Sequence, residues 1–244
     1  MRYSMLVALV TLCPLAARAF DATDRYERRD MEGWTVLVHK DLLADEKLSG
    51  PCLALLRVKL FDVGRVVPAA AAARLREVPI WLELNDPKFP CACYHPSKGW
   101  LVAHDVNPQK TGAVEISNAR NFLAWSIDQP FMVLHELAHA YHQRVLGYEY
   151  APIKAAYAAA NASGKYEHVL QIRGKTERHY ALNNDQEYFA ESTEAFFGTN
   201  DFYPFVRAEL KEFDPQMEAV VREAWGVSGK RGATTTRATT APAR

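Results

Sequence analysis

An α+β domain is what this sequence predicts, on two observations. Runs rich in β-branched and aromatic residues fall before residue 118, and helix-period apolar patterns with recognisable start and stop residues dominate after residue 128. The 244 residues, 49% of them hydrophobic, are enough for one substantial core, so residues 20–226 are read as a single domain.

The first 19 residues, MRYSMLVALVTLCPLAARA, begin with a basic Arg2, carry an apolar run from Met5 to Leu12 and end with Ala17 and Ala19 in Ala-Arg-Ala spacing. That pattern predicts a secretory signal peptide cleaved after Ala19, and hence export to the periplasm or the extracellular space. The run is shorter than the ~20 apolar residues a spanning helix needs, and Pro14 interrupts it. With no longer apolar stretch downstream, stable membrane insertion is not expected.

A charged stretch, 21–32, precedes a strand over 34–39. Periodic apolar positions predict a helix over 50–63 that Gly64 can stop, and 69–74 adds a short helical turn. Residues 78–84 alternate as a strand should, 85–90 read as a loop because of Pro87 and Pro90, and 112–117 is a third strand. Next comes a helix that Asp128 can cap, with Pro130 in its first turn, apolar residues recurring over 131–146 and Gly147 at its end. A further helix spans 184–197 with Gly198 to stop it, and two more cover 203–213 and 215–225. Residues 227–244 are rich in Thr and Ala with almost nothing to bury, the composition of a disordered tail.

Lys plus Arg and Asp plus Glu both number 29, so no net field favours a nucleic acid or an anionic surface. Cleavage after Ala19 leaves Cys52, Cys91 and Cys93. In an oxidising compartment one disulfide is expected, Cys52 with Cys91 or Cys93, leaving one thiol over. Cys91, Cys93 and His95 also have the donor types of a metal site, but the paired second half of a structural zinc site is missing. A covalent staple is the preferred reading there.

The chemistry concentrates in His135-Glu136-Leu137-Ala138-His139. Residues four apart share a helix face, so His135 and His139 can present two imidazole nitrogens to one tetrahedral zinc. Glu136 follows the first ligand and is placed to act as a base towards water that the metal activates. Catalytic zinc takes three protein ligands. His142 lies on the same face, but three residues of one straight helix diverge too far to meet one ion, and it is expected either to pack in the core or to support a ligand from behind. The metzincin pattern needs glycine at position 142 and histidine at 145, where His142 and Val145 stand. The later helix offers Glu187 and Glu191 four apart. Glu187 is taken as the third metal ligand and Glu191 as the carboxylate that orients a ligand histidine.

HELAH followed by NNDQEYFAESTEAFFG resembles the gluzincin peptidases related to the catalytic domain of anthrax lethal factor, over residues 131–198. The chain is also similar to secreted zincin-like bacterial proteins that lack an assigned substrate. The resemblance implies a zincin-like fold, a Zn2+ cofactor and hydrolysis of a peptide or protein substrate with Glu136 as general base. It matches Glu187 to the family's zinc-binding glutamate and Tyr180, seven residues earlier, to a tyrosine facing the reaction centre, where it would donate to the oxyanion. Zincins commonly bind substrate as an added strand, and residues 114–117 are the candidate edge, the alternative being a wholly interior strand. Two other functions use the same residues: a catalytically silent zincin-like binding module, and a metal-dependent hydrolase of a non-peptide amide.

Overall fold

The computed structural model describes residues 20–227; the expected signal peptide, and all but the first residue of the expected tail, lie outside the described residues. The charged stretch after Phe20 folds as strand β1 (Tyr26–Met31), which pairs antiparallel with β2 (Trp34–His39). The turn between them places Glu32 and Gly33 at positive φ, 53° and 86°, the combination that matches the twist of a tight hairpin. Charges on β1 suit its position: it is one edge of a five-stranded sheet ordered β1-β2-β3-β5-β4. Strands β3 (Ile80–Leu82) and β5 (Val114–Ile116) run parallel to β2, and β4 (Ala92–Tyr94) closes the other side antiparallel to β5.

Of the two readings of residues 114–117, the edge is overturned and the interior strand holds. Residues 114–117 lie inside the sheet, hydrogen-bonded on both sides, and the free edge on that side belongs to β4. The loop-like Cys91-Ala92-Cys93 hid this strand, because three residues are too few to establish an alternation.

Between β2 and β3 come α1 (Lys40–Ala44), α2 (Glu46–Val66) and α3 (Ala69–Leu75). Helix α2 is longer than the expected 50–63 because Asp45 caps it, accepting from the Leu48 N–H at 3.2 Å. Two short helices, α4 (Lys98–Ala103) and α5 (Ala119–Trp125), flank β5, capped by Ser97 and Asn118. The sheet face bearing Val36, Val38, Ile80, Leu82, Val114 and Ile116 packs on the helices and forms the main core. Each such fully buried side chain contributes on the order of 1.5–3 kcal/mol.

Helix α6 (Met132–Tyr141) carries the histidine pair and continues as a π-helical turn over His142–Leu146 before Gly147. Asp128 does not cap it; its carboxylate is engaged by Arg173 at 2.7 Å. Past α7 (Ala151–Ser163), the small hairpin β6 (Val169–Leu170) and β7 (Thr176–Glu177) leads to α8 (Asp185–Phe197). A side chain at Gly198, just after α8, would overlap the ring of Phe131 at the head of α6, so the stop residue is also a close-approach residue. The helix expected at 203–213 is α9 (Arg207–Phe213). It begins later because Glu209 Oε2 accepts from the Phe205 and Val206 N–H groups at 2.8 and 3.2 Å, fixing the start past Pro204. The last helix is α10 (Pro215–Ala224). Beyond it Trp225 stacks on Tyr141 of α6 (ring centroids 4.1 Å apart), and its indole N–H donates to Thr193 of α8 at 3.1 Å. One residue thus ties the two site-bearing helices together. No helix among the described residues is long and apolar enough to cross a membrane.

The expected disulfide does not form. Cys52, Cys91 and Cys93 are all free thiols in separate surroundings: Cys52 donates to Ala119 O (3.3 Å), Cys91 lies against Met132 Sδ (3.7 Å), and Cys93 lies against His95 Nε2 (3.5 Å).

Candidate metal centre

Helix α8 starts with Asn184, whose side chain accepts from the Gln186 and Glu187 N–H groups, and this cap fixes the register of every acid that follows. Glu187 faces α6. His135 Nε2 and His139 Nε2 both approach the same oxygen, Glu187 Oε2, at 3.1 and 3.3 Å, and the two imidazole rings meet edge to face at 4.8 Å. Two imidazole nitrogens and one carboxylate oxygen converging within 4.8 Å of one another form a group that could hold a metal ion. The electrostatics fit that use. Burial alone would raise the Glu187 carboxyl, but hydrogen bonds from His135 and His139 outweigh it and hold the group far below the usual carboxylate range. Burial likewise opposes charge on His135, and its bonds to Glu187 and Glu194 prevail, raising its affinity for a proton. The same electron-rich surroundings would favour a cation between the three side chains.

The carboxylate that orients His135 is not the expected one. Glu194 Oε1 stands 2.8 Å from His135 Nδ1, whereas Glu191 Oε1 is 3.7 Å away. Seven residues after Glu187, two helical turns along the same face, Glu194 comes back under the histidine. Its spacing is visible in the sequence, but nothing there separates it from an ordinary solvated acid. Burial and the neighbouring Glu194 charge push the Glu191 carboxyl well above its usual range, and burial also raises Glu194 and Asp201.

Glu136 and Tyr180 line a cleft beside the triad. Tyr180 opens a short helical turn, Tyr180–Asn183, after His179, whose ring nitrogen accepts from the Ala181 N–H at 3.0 Å. Tyr180 is 47% exposed, so its ring is not consumed by the core. The cleft has two lobes that share Ala92, His135, Glu136 and Tyr180. One, of about 270 Å³, is lined as well by Trp125, Gln129, Phe202, Glu191 and Asp201. The other, of about 200 Å³, runs past Cys93, Tyr94, Tyr148 and Glu187. Edge strand β4 forms one wall of both. His142 is buried in the π turn against Tyr148 and Phe189, each with its ring centroid 5.2 Å away, and burial lowers its pKa to about 4.

A second convergent group lies across the sheet. Cys93, His95 and Glu115 bring three donor atoms within 4.8 Å of one another, without Cys91. Here the donors are already engaged: Glu115 holds His95 Nε2 at 2.6 Å and Lys110 Nζ at 2.7 Å, Lys110 also reaches Glu83 at 2.8 Å, and Tyr26 donates to Glu83 at 2.7 Å.

Comparison with protein-family models, with curated proteins and with solved structures finds no match to this chain.

Proposed function

We propose that this chain is an exported zinc metallopeptidase of the gluzincin type with a zincin-like fold. His135, His139 and Glu187 would hold the ion and Glu136 would serve as general base. The observation that carries this reading is the convergence of both histidine Nε2 atoms on one Glu187 oxygen, at 3.1 and 3.3 Å, from two helices far apart in sequence. The donor set suits zinc, and three protein ligands leave a position open for water or substrate. A zinc ion held there supplies Lewis acidity to the water and to the scissile carbonyl.

The chain's own groups then divide the remaining work. Glu136 accepts the proton of the attacking water and returns it to the amine as the C–N bond breaks, so one water is consumed and two chain ends are released. Tyr180 donates a hydrogen bond to the carbonyl oxygen as it gains charge. The half-exposed ring supports that role, since a core tyrosine would be enclosed. Strand β4 offers its free edge to an extended peptide, so that the scissile bond passes Glu136 with side chains directed into the two lobes.

The test is metal content and chelator-sensitive cleavage of a peptide library. The native protein should bind one zinc and cleave. Glu136→Gln should keep the metal and lose about 10²-fold or more in rate, Glu187→Ala should lose the metal, and Tyr180→Phe should keep the metal and lower kcat. Zinc bound without cleavage of any peptide would favour the silent binding module or an amide other than a peptide. Absence of stoichiometric zinc would sink the site itself.

A further inference from the structure

We propose that the larger lobe of the cleft is a subsite for a basic side chain, lysine or arginine, of a residue next to the scissile bond. The proposal rests on the peptidase reading and names the substrate class it implies. The lobe is lined by His135, Glu136 and Tyr180 together with three acids, Glu191, Glu194 and Asp201, with no lysine or arginine among its lining residues. Of these acids, Glu194 is occupied by His135 at 2.8 Å, and Asp201 Oδ2 accepts from Gln129 Nε2 at 3.1 Å.

Glu191 differs from both. Its side chain is 4% exposed, and its Oε2 has no hydrogen-bond partner among the described residues. A buried carboxylate oxygen without a donor costs stability unless a ligand supplies one, and Glu191 is one of the residues that line the lobe. The volume of about 270 Å³ suits a single side chain rather than a larger ligand. The walls suit a cation on a long apolar stem. Trp125, Met132 and Phe202 line the same lobe as the acids, so methylene groups have apolar surface to lie on and an aromatic face can meet the charge.

A metal ion is the weaker occupant. His135, Glu191 and Glu194 do converge, but His135 and Glu194 are committed to each other, and His135 presents its second nitrogen to Glu187. An ammonium or guanidinium group needs no such ligand and brings the donor that Glu191 Oε2 lacks.

The zinc-loaded full chain should be assayed on matched peptides carrying lysine, arginine, norleucine or citrulline at each position flanking the cleaved bond. At one position kcat/KM should be about tenfold or more higher for lysine and arginine than for their uncharged counterparts. Asp201→Asn should pull that ratio towards one. Separately, butylguanidinium should bind the unaltered protein saturably, as read by NMR or calorimetry, where butanol does not. Cleavage with equal rates for lysine and norleucine at every position overturns the subsite. No cleavage of any peptide overturns the peptidase reading instead, and butylguanidinium then decides the lobe alone: saturable binding supports it, and its absence refutes it.

Discussion

Two clusters of ionisable side chains flank strand β4, and they have been brought to opposite ends. On the sheet side, Cys93, His95 and Glu115 continue into Lys110, Glu83 and Tyr26, and each carboxylate there has at least one cation or hydroxyl donor within 2.8 Å. On the helix side, the side chains of His135, His139 and Glu187 pair among the described residues with one another and with Glu194 and Glu191, and they open onto a cleft. Both contain the donor types of a metal site. The difference shows that donor type and proximity do not by themselves define a site. The sheet cluster has an internal cation, Lys110, that satisfies its acids and removes the need for an outside one. The helix cluster has none.

Breaking that internal cation gives the largest expected effect. Lys110→Met leaves Glu83 and Glu115 buried with their ion pairs gone, and should cost about 3–5 kcal/mol in denaturant unfolding. Zinc stoichiometry at the helix cluster should not change in the fraction that remains folded. A loss below about 1 kcal/mol would mean that the network is not structural.

The next effect sharpens the helix side. Glu194→Gln removes the carboxylate behind His135 and should weaken zinc affinity about 10–100-fold, measured by competition with a chromophoric chelator. Glu191→Gln should weaken it less, because Glu191 stands 3.7 Å from the same nitrogen. The reverse ranking would restore Glu191 as the orienting group.

The smallest effect concerns His142, whose two ring nitrogens are buried without a partner among the described residues. Its folded pKa of about 4 lies below the ~6.5 of an unfolded histidine, so the unfolded chain takes up the proton first as pH falls. The native state therefore keeps the full contribution above pH ~6.5 and loses it progressively towards pH 4, by at most about 1.4 kcal/mol per pH unit. His142→Phe should flatten that slope, seen as a smaller drop in urea midpoint between pH 7 and pH 5. An unchanged slope would assign the acid sensitivity to other groups.

Much of the fold was legible because its signals are local. The β2 run Trp34-Thr-Val-Leu-Val-His39, the periodic stretch of α2, and the Asn184 cap with its Gly198 stop each announced an element within a few residues. Strand β4 and the short helices α4 and α5 escaped notice because each spans seven residues or fewer, and their conformations are set by what they pack against. Strand β1 reads in the sequence only as a charged stretch, since an edge strand that exposes charge resembles a loop until its partner is known. The cysteines misled for a related reason: compartment and count say that a bridge is allowed, but only geometry says whether two sulfurs meet.

The candidate ligands could be named from the chain alone. The four-residue spacing in His135-Glu136-Leu137-Ala138-His139 is a property of one helix, and the spacing of Glu187, Glu191 and Glu194 is a property of another. Packing settled the rest: which carboxylate faces which imidazole, that β4 rather than β5 borders the cleft, and that Lys110 quiets the cluster across the sheet. Those outcomes depend on how α6, α8 and the sheet pack, and packing between distant segments leaves no periodic trace in the chain that folds into it.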